Sequence, residues 1–129
     1  MTQHKPTIAP IVKPVVLVAD EDPAMRRAIR RTLESFEVAE AADGAEAIAM
    51  LSSGLHVDAV TLDLDMPNMS ATEALGTIHR RWPTLPVVIL SANLRDEAEL
   101  LAAGAVACLD KLRLAELPAI LVGTVRDKE

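Results

Sequence analysis

Five short runs rich in Val, Ile, Leu and Ala punctuate this chain, and the stretches between them repeat their apolar residues at helical spacing. The runs are Val15 to Ala19, Val38 to Ala41, Ala59 to Asp63, Val87 to Ser91 and Ala105 to Leu109. Between them lie Met25, Ile29, Leu33 and Phe36; then Ala45, Ile48 and Leu51; then Leu75, Ile78 and Trp82; then Ala98, Leu101 and Ala102. Each set describes one face of an amphipathic helix. A fifth helix is expected from about Ala115 to Arg126, with Pro118 tolerable only in its first turn. Strict alternation of strand and helix leaves few packings open, because crossovers between parallel strands are right-handed and place helices on the sheet faces. The chain therefore reads as an α/β protein, a doubly wound parallel sheet covered by helices on both sides.

Local signals agree with that reading. Asp22 stands before Pro23, Asp43 precedes Glu46 by three, and Ser70 precedes Glu73 by three, each a helix start whose side chain can take an orphan N–H. Residues 1–14 carry three prolines and little periodicity, so they are expected to form a tail; the domain is expected over residues 15–126, with residues 127–129 as a short C-terminal tail. Aromatics amount to one Phe and one Trp with no Tyr, so the core must be aliphatic, as suits buried parallel strands.

Charge narrows the class further. With 19 acidic against 13 basic residues the net charge is −6, which disfavours wrapping around a nucleic-acid backbone and favours a partner with a basic patch. Arg26, Arg27, Arg30 and Arg31 are expected to spread over a solvated helix face, with partner docking the second reading. The lone Cys108 cannot form an internal disulfide, and the apolar start at Ile8 to Val18 is broken by prolines and lacks a leading charged region. No apolar run approaches the roughly 20 residues of a membrane span. A cytoplasmic location is expected.

Two strands end in acids: Val16–Ala19 runs into Asp20, Glu21 and Asp22, and Val60–Leu62 runs into Asp63, Leu64 and Asp65. Ligands of open α/β sheets bind outside the carboxyl ends of the strands. If these strands are neighbours, Asp20, Glu21 and Asp63 converge, and like charges about 4 Å apart repel by roughly 4 kcal/mol at an effective dielectric of 20. Such a cluster calls for a cation. Oxygen donors without His or Cys select a hard divalent ion, with Mg2+ the first choice and Mn2+ the second. Asp22 by itself is a helix cap. Two other strand ends supply a hydroxyl, Ser91, and an ammonium, Lys111; alone, the first reads as a turn residue and the second as a surface lysine, and only their shared sheet edge raises their interest.

Together these residues resemble the receiver domain of two-component response regulators over almost all of residues 15–126. Val16 to Pro23 resembles the first strand and acidic turn of that family, Glu40 to Gly44 its second strand and turn, and Leu62 to Pro67 its phosphoacceptor strand and loop. Pro86 to Ala92, Ala103 to Ala105 and Lys111 follow in order. The resemblance implies a flavodoxin-like fold of five parallel strands in the order 2-1-3-4-5 with five helices. It implies that Asp63 is the nucleophile taking a phosphoryl group from a sensor histidine kinase, a histidine phosphotransfer protein or a small phosphodonor. Asp20 and Glu21 would hold Mg2+ with Asp63 and the backbone carbonyl of Asp65, Lys111 would balance phosphoryl charge, and Ser91 would hydrogen-bond a phosphoryl oxygen. The output would be a changed surface on the fourth helix, fifth strand and fifth helix, read by a downstream protein or a second copy of the chain. The chain would then catalyse its own modification and not act as a turnover enzyme.

Several positions depart from the family pattern. Cys108 stands where an aromatic switch residue is usual, and Leu112 follows Lys111 in place of proline; a cis bond there would cost about 2.5–4 kcal/mol. Either the bond is trans and Lys111 is displaced, or strain is stored. Ser70 and Ala71 replace the usual aspartate and glycine. Asp65 and Asn93, each two residues beyond a site residue, are expected to tune hydrolysis of the acyl phosphate. The chain ends at Asp127-Lys128-Glu129, and signalling without an output domain is expected. Two other readings stay open: a degenerate receiver that binds partners without phosphorylation, motivated by Cys108 and Leu112, and a small aspartate-dependent phosphohydrolase, motivated by Asp63-Leu64-Asp65. A flavin site is weaker, because no phosphate-cradling loop follows the first strand.

Overall fold

The computed structural model describes residues 12–128, so most of the proline-rich tail expected over residues 1–14 lies outside the described residues. Strands β1 (Val15–Ala19), β2 (Glu37–Ala41), β3 (Ala59–Asp63), β4 (Val87–Ser91) and β5 (Ala107–Asp110) form one parallel sheet in the order β2-β1-β3-β4-β5. Helices α1 (Pro23–Thr32), α2 (Gly44–Ser52), α3 (Ala71–Arg81), α4 (Glu97–Ala102) and α5 (Leu117–Lys128) fill the crossovers and the end. The order reverses at β1 and β3, so the crevice between their carboxyl ends is the place where such a sheet offers a site.

Period-two alternation divides the core. Leu17, Val60, Leu62 and Ile89 point to one face and pack with Ala47, Leu51, Leu75 and Ile78 of α2 and α3. Val16, Val18, Val88 and Leu90 point to the other and pack with Ile29, Leu117 and Leu121 of α1 and α5. The three helix caps form as the sequence suggests: Asp22 accepts from Ala24 N–H at 2.9 Å, Asp43 from Glu46 N–H at 2.8 Å and Ser70 from Glu73 N–H at 3.1 Å. At Gly44 an added Cβ would come within 2.9 Å of the Ala74 Cβ, so glycine lets α2 lie close against α3. Among the described residues one buried side-chain polar atom lacks a partner, the hydroxyl of Thr61 on β3.

Several elements differ from the sequence expectation: β2 begins at Glu37 instead of Val38, and α5 runs on to Lys128, through two of the three residues expected as a tail. β5 begins at Ala107 instead of Ala105, and Asp110 belongs to it. The fifth helix is preceded by a 3-10 segment, Lys111–Glu116, so Pro118 is the second residue of α5. On α4 the face is rotated: Leu100 is buried, while Ala98, Leu101 and Ala102 are exposed. A six-residue helix with two adjacent leucines carries no periodicity strong enough to choose between them, and docking on the sheet makes the choice. A smaller shift of the same kind puts Ala47 of α2 inside and Ala45 outside. No described helix is long and apolar enough to cross a membrane.

Candidate functional site

Asp20 follows β1 directly and keeps its backbone in the ladder, donating its N–H to the Ala41 carbonyl at 3.1 Å. Its side chain is buried. One carboxylate oxygen accepts from Asp22 N–H at 2.9 Å, and the other receives the Lys111 ammonium at 2.9 Å. Asp63 closes β3, opposite Leu90 of β4, and is 6% exposed. Its Oδ1 accepts from Asp65 N–H at 3.2 Å and lies 3.2 Å from Lys111 Nζ. One largely buried ammonium thus stands between two buried carboxylates that belong to strands far apart in sequence.

Electrostatics follow from that arrangement. Burial, with the Asp20 charge behind it, pushes the Asp63 carboxyl above its ordinary range, against the opposing pull of Asp65 N–H and of Lys111. Burial by itself would lower Lys111, but its hydrogen bond and charge contacts with Asp20 and Asp63 outweigh it and leave the ammonium raised. By contact alone, one ammonium is shared by two carboxylates in the crevice.

Lys111 reaches this position through a trans peptide bond. No described peptide is cis, and Asp110 Oδ1 accepts from Leu112 N–H at 2.8 Å, which starts the 3-10 segment and leaves Leu112 in solvent. The expectation that a trans bond would displace the lysine is corrected: a side-chain cap turns the chain here.

Ser91 ends β4 fully buried, and its Oγ accepts from Asn93 N–H at 3.0 Å. Asp63 and Ser91 are therefore folded onto their own loops by the same two-residue device. Glu21 is exposed on the turn beside Asp20. Cys108 is half-buried and packs against the core cluster to which α2, α3 and α4 contribute, and its burial, with the Glu97 charge, raises the thiol.

Two arginines belong to the site's surroundings and were not singled out for it by sequence pattern. Arg26 donates to the backbone carbonyl of Asp20 at 2.6 Å and to Glu40 of β2 at 2.9 Å, and Arg30 also grips Glu40, holding its carboxyl low. Arg26 is therefore turned onto the sheet, while Arg30 stays half exposed in its pair with Glu40 and Arg27 and Arg31 are exposed, as expected of a solvated face. Arg95 pairs with Asp65 through both guanidinium nitrogens and holds that carboxyl below its usual range. The signal for either lies only in long-range pairing: Arg95 and Asp65 are 30 residues apart.

Among the described residues no three His, Cys, Asp or Glu side chains are grouped to hold a metal ion. Two buried carboxylates sharing one ammonium, next to the main chain of Asp65, nevertheless fit a hard divalent cation, since Mg2+ takes only one or two carboxylates and keeps several waters.

The chain matches the family described as Response regulator receiver domain over residues 16–121. It is 40% identical over 82 residues to the nitrate/nitrite response regulator protein NarP of Escherichia coli, covering 60% of this chain and 38% of NarP. It is 39% identical over 95 residues to the transcriptional regulatory protein KdpE of Mycobacterium tuberculosis, covering 70% of this chain and 41% of KdpE. The chain thus spans about two fifths of the length of these relatives. Among solved structures, the receiver domain of a Francisella response regulator superposes with a TM-score of 0.82 at 26% identity, covering 90% of this chain and 99% of that one. The response regulator protein TrrA of Thermotoga maritima, solved in complex with Mg2+-BeF, gives a TM-score of 0.79 at 26% identity over 86% of this chain and 98% of that one.

Proposed function

The chain belongs to the response regulator receiver domain family, and on that premise we propose that it accepts a phosphoryl group on Asp63 from a histidine kinase or histidine phosphotransfer protein and signals through protein contacts. The observation that carries this reading is the crevice itself: a buried Asp63 carboxylate lying 3.2 Å from Lys111, which is also paired with Asp20. Buried charge is costly unless fully paired, so two buried carboxylates sharing one ammonium at a strand-end crevice mark a candidate functional site.

An Asp63 oxygen forms the new bond to phosphorus while the P–N bond of a phosphohistidine breaks and the imidazole nitrogen keeps the electron pair. The product is an acyl phosphate. Asp20, Glu21, Asp63 and the Asp65 carbonyl are the groups assigned to Mg2+, which when bound supplies positive charge for the phosphoryl oxygens. Lys111 stands ready to follow the charge from the carboxylate to the phosphoryl oxygens. Ser91 uses its oxygen as an acceptor toward Asn93, so its own hydrogen is unspent and can be donated to a phosphoryl oxygen. That new bond would draw on the loop leading to α4, and the added phosphate of roughly −1.5 to −2 charge makes the change a switch. With the half-buried Cys108 in the place of the aromatic switch residue, the route runs through the Ser91 loop and α4 without an aromatic rotamer.

The test is incubation with acetyl phosphate and Mg2+, read by intact mass. Wild type is expected to gain one phosphoryl group and Asp63→Asn none; equal gain in both, or none in either, would overturn the assignment. A generic phosphate ester should not be turned over, and steady turnover would favour the phosphohydrolase reading instead.

A further inference from the structure

The loops that leave β3 and β4 are joined across the mouth of the crevice by one side chain. Asp65 N–H folds the first loop onto Asp63, and Asn93 N–H folds the second onto Ser91. Arg95 ties the two together, donating one nitrogen to the Asn93 carbonyl at 3.1 Å and to Asp65 Oδ2 at 3.4 Å, and the other nitrogen to Asp65 Oδ1. The contacts run as a chain from Asp63 through Asp65, Arg95 and Asn93 to Ser91. Both side chains of the pair stand at the rim, 45% and 55% exposed.

In the assigned chemistry Asp65 serves only through its main chain. Its carboxylate is then a liability, a full negative charge two residues from the attacking one and half exposed at the rim, where it repels an anionic donor. Arg95 grips both oxygens of that carboxylate, a planar fork on a planar acid, and its guanidinium keeps its charge at any working pH.

We propose that Arg95 is a positioning residue for phosphoryl transfer: it clasps the two loops and masks Asp65, so that an anionic phosphodonor can approach Asp63. This inference rests on Asp63 being the acceptor. The clasp acts on the approach of the donor, so its signature is electrostatic.

The experiment tracks phosphorylation by acetyl phosphate at saturating Mg2+, by intact mass, in wild type, Arg95→Gln, Asp65→Asn and the double variant, at low and at high salt. Exposed pairs carry modest energies, so Arg95→Gln is expected to phosphorylate about three- to fivefold more slowly at low salt. Adding Asp65→Asn should recover most of that loss, Arg95→Lys should lose less than Arg95→Gln, and high salt should narrow the gap. A purely structural role would give neither the recovery nor the salt dependence, and circular dichroism checks that each variant is folded. An Arg95→Gln rate equal to wild type, or a slower rate that neither Asp65→Asn nor salt relieves, would overturn the proposal. Asp63→Asn runs alongside: phosphoryl gain there would instead defeat the acceptor assignment, whatever Arg95 does.

Discussion

β3 and β4 lie side by side, each five residues long and buried throughout, and each stops in a residue of the site. Their exits differ. After β3 the chain reaches the capping Ser70, and α3 runs 11 residues with Ala71, Ala74, Leu75 and Ile78 buried. After β4, Asp96 sits in the left-handed region at φ 58, offers no side-chain cap, and α4 runs six residues with Leu100 alone buried. A helix that short has no stability of its own and stands on its tertiary contacts. The sheet thus presents one well-anchored and one lightly anchored exit from the same crevice, and the proposed signal leaves by the second. A region built to move is drawn from the low-stability part of a fold.

The largest expected effects test the anchoring directly. Leu75→Ala removes a fully buried side chain from the α3 contact and should cost about 2–5 kcal/mol in urea unfolding, whereas Leu101→Ala on the exposed face of α4 should change stability by less than about 0.5 kcal/mol. Comparable losses would erase the distinction between the two exits.

A second measurement concerns the end of β3. The folded Asp63 carboxyl is raised above its unfolded value, so the folded state binds more protons between the two values and stability falls as pH climbs through that window. Asp63→Asn keeps an oxygen for Asp65 N–H but removes the buried charge. Its unfolding midpoint should exceed that of wild type at neutral pH, and the difference should shrink as the solution is acidified below the ordinary carboxylate range. A variant less stable than wild type at neutral pH would mean that the Lys111 contact outweighs burial.

The smallest effect lies inside β3. Thr61 is buried, its neighbours across the ladder are Val18 and Val88, and its hydroxyl has no partner. Thr61→Val keeps the shape and removes an unpaired polar atom, so it should stabilise the protein by about 1 kcal/mol in the same urea titration. A loss would show that the hydroxyl is satisfied in solution.

Legibility in the sequence tracked the range of the interaction. β1, β3 and β4 match their apolar runs residue for residue, and Asp22, Asp43 and Ser70 cap the helices that their spacing announces. Where the local pattern was ambiguous, as between Leu100 and Leu101 on α4, it pointed the helix the wrong way. At the site, Asp20, Asp63, Ser91 and Lys111 could be picked out as strand-end residues before any contact was visible. Their mutual contacts could not, nor could Arg26 and Arg95, whose partners lie on other elements.

The sequence by itself determined the alternation of strand and helix, the helix starts, and the acids at two strand ends, because each of these is written in residues a few positions apart. Only the tertiary structure decided that Lys111 reaches across the sheet edge to Asp63 and Asp20, that Arg95 closes over Asp65, and that the trans bond before Leu112 leaves the lysine in reach. Those outcomes depend on strand order and register, which sum weak preferences over the whole chain, and no local pattern carries that sum.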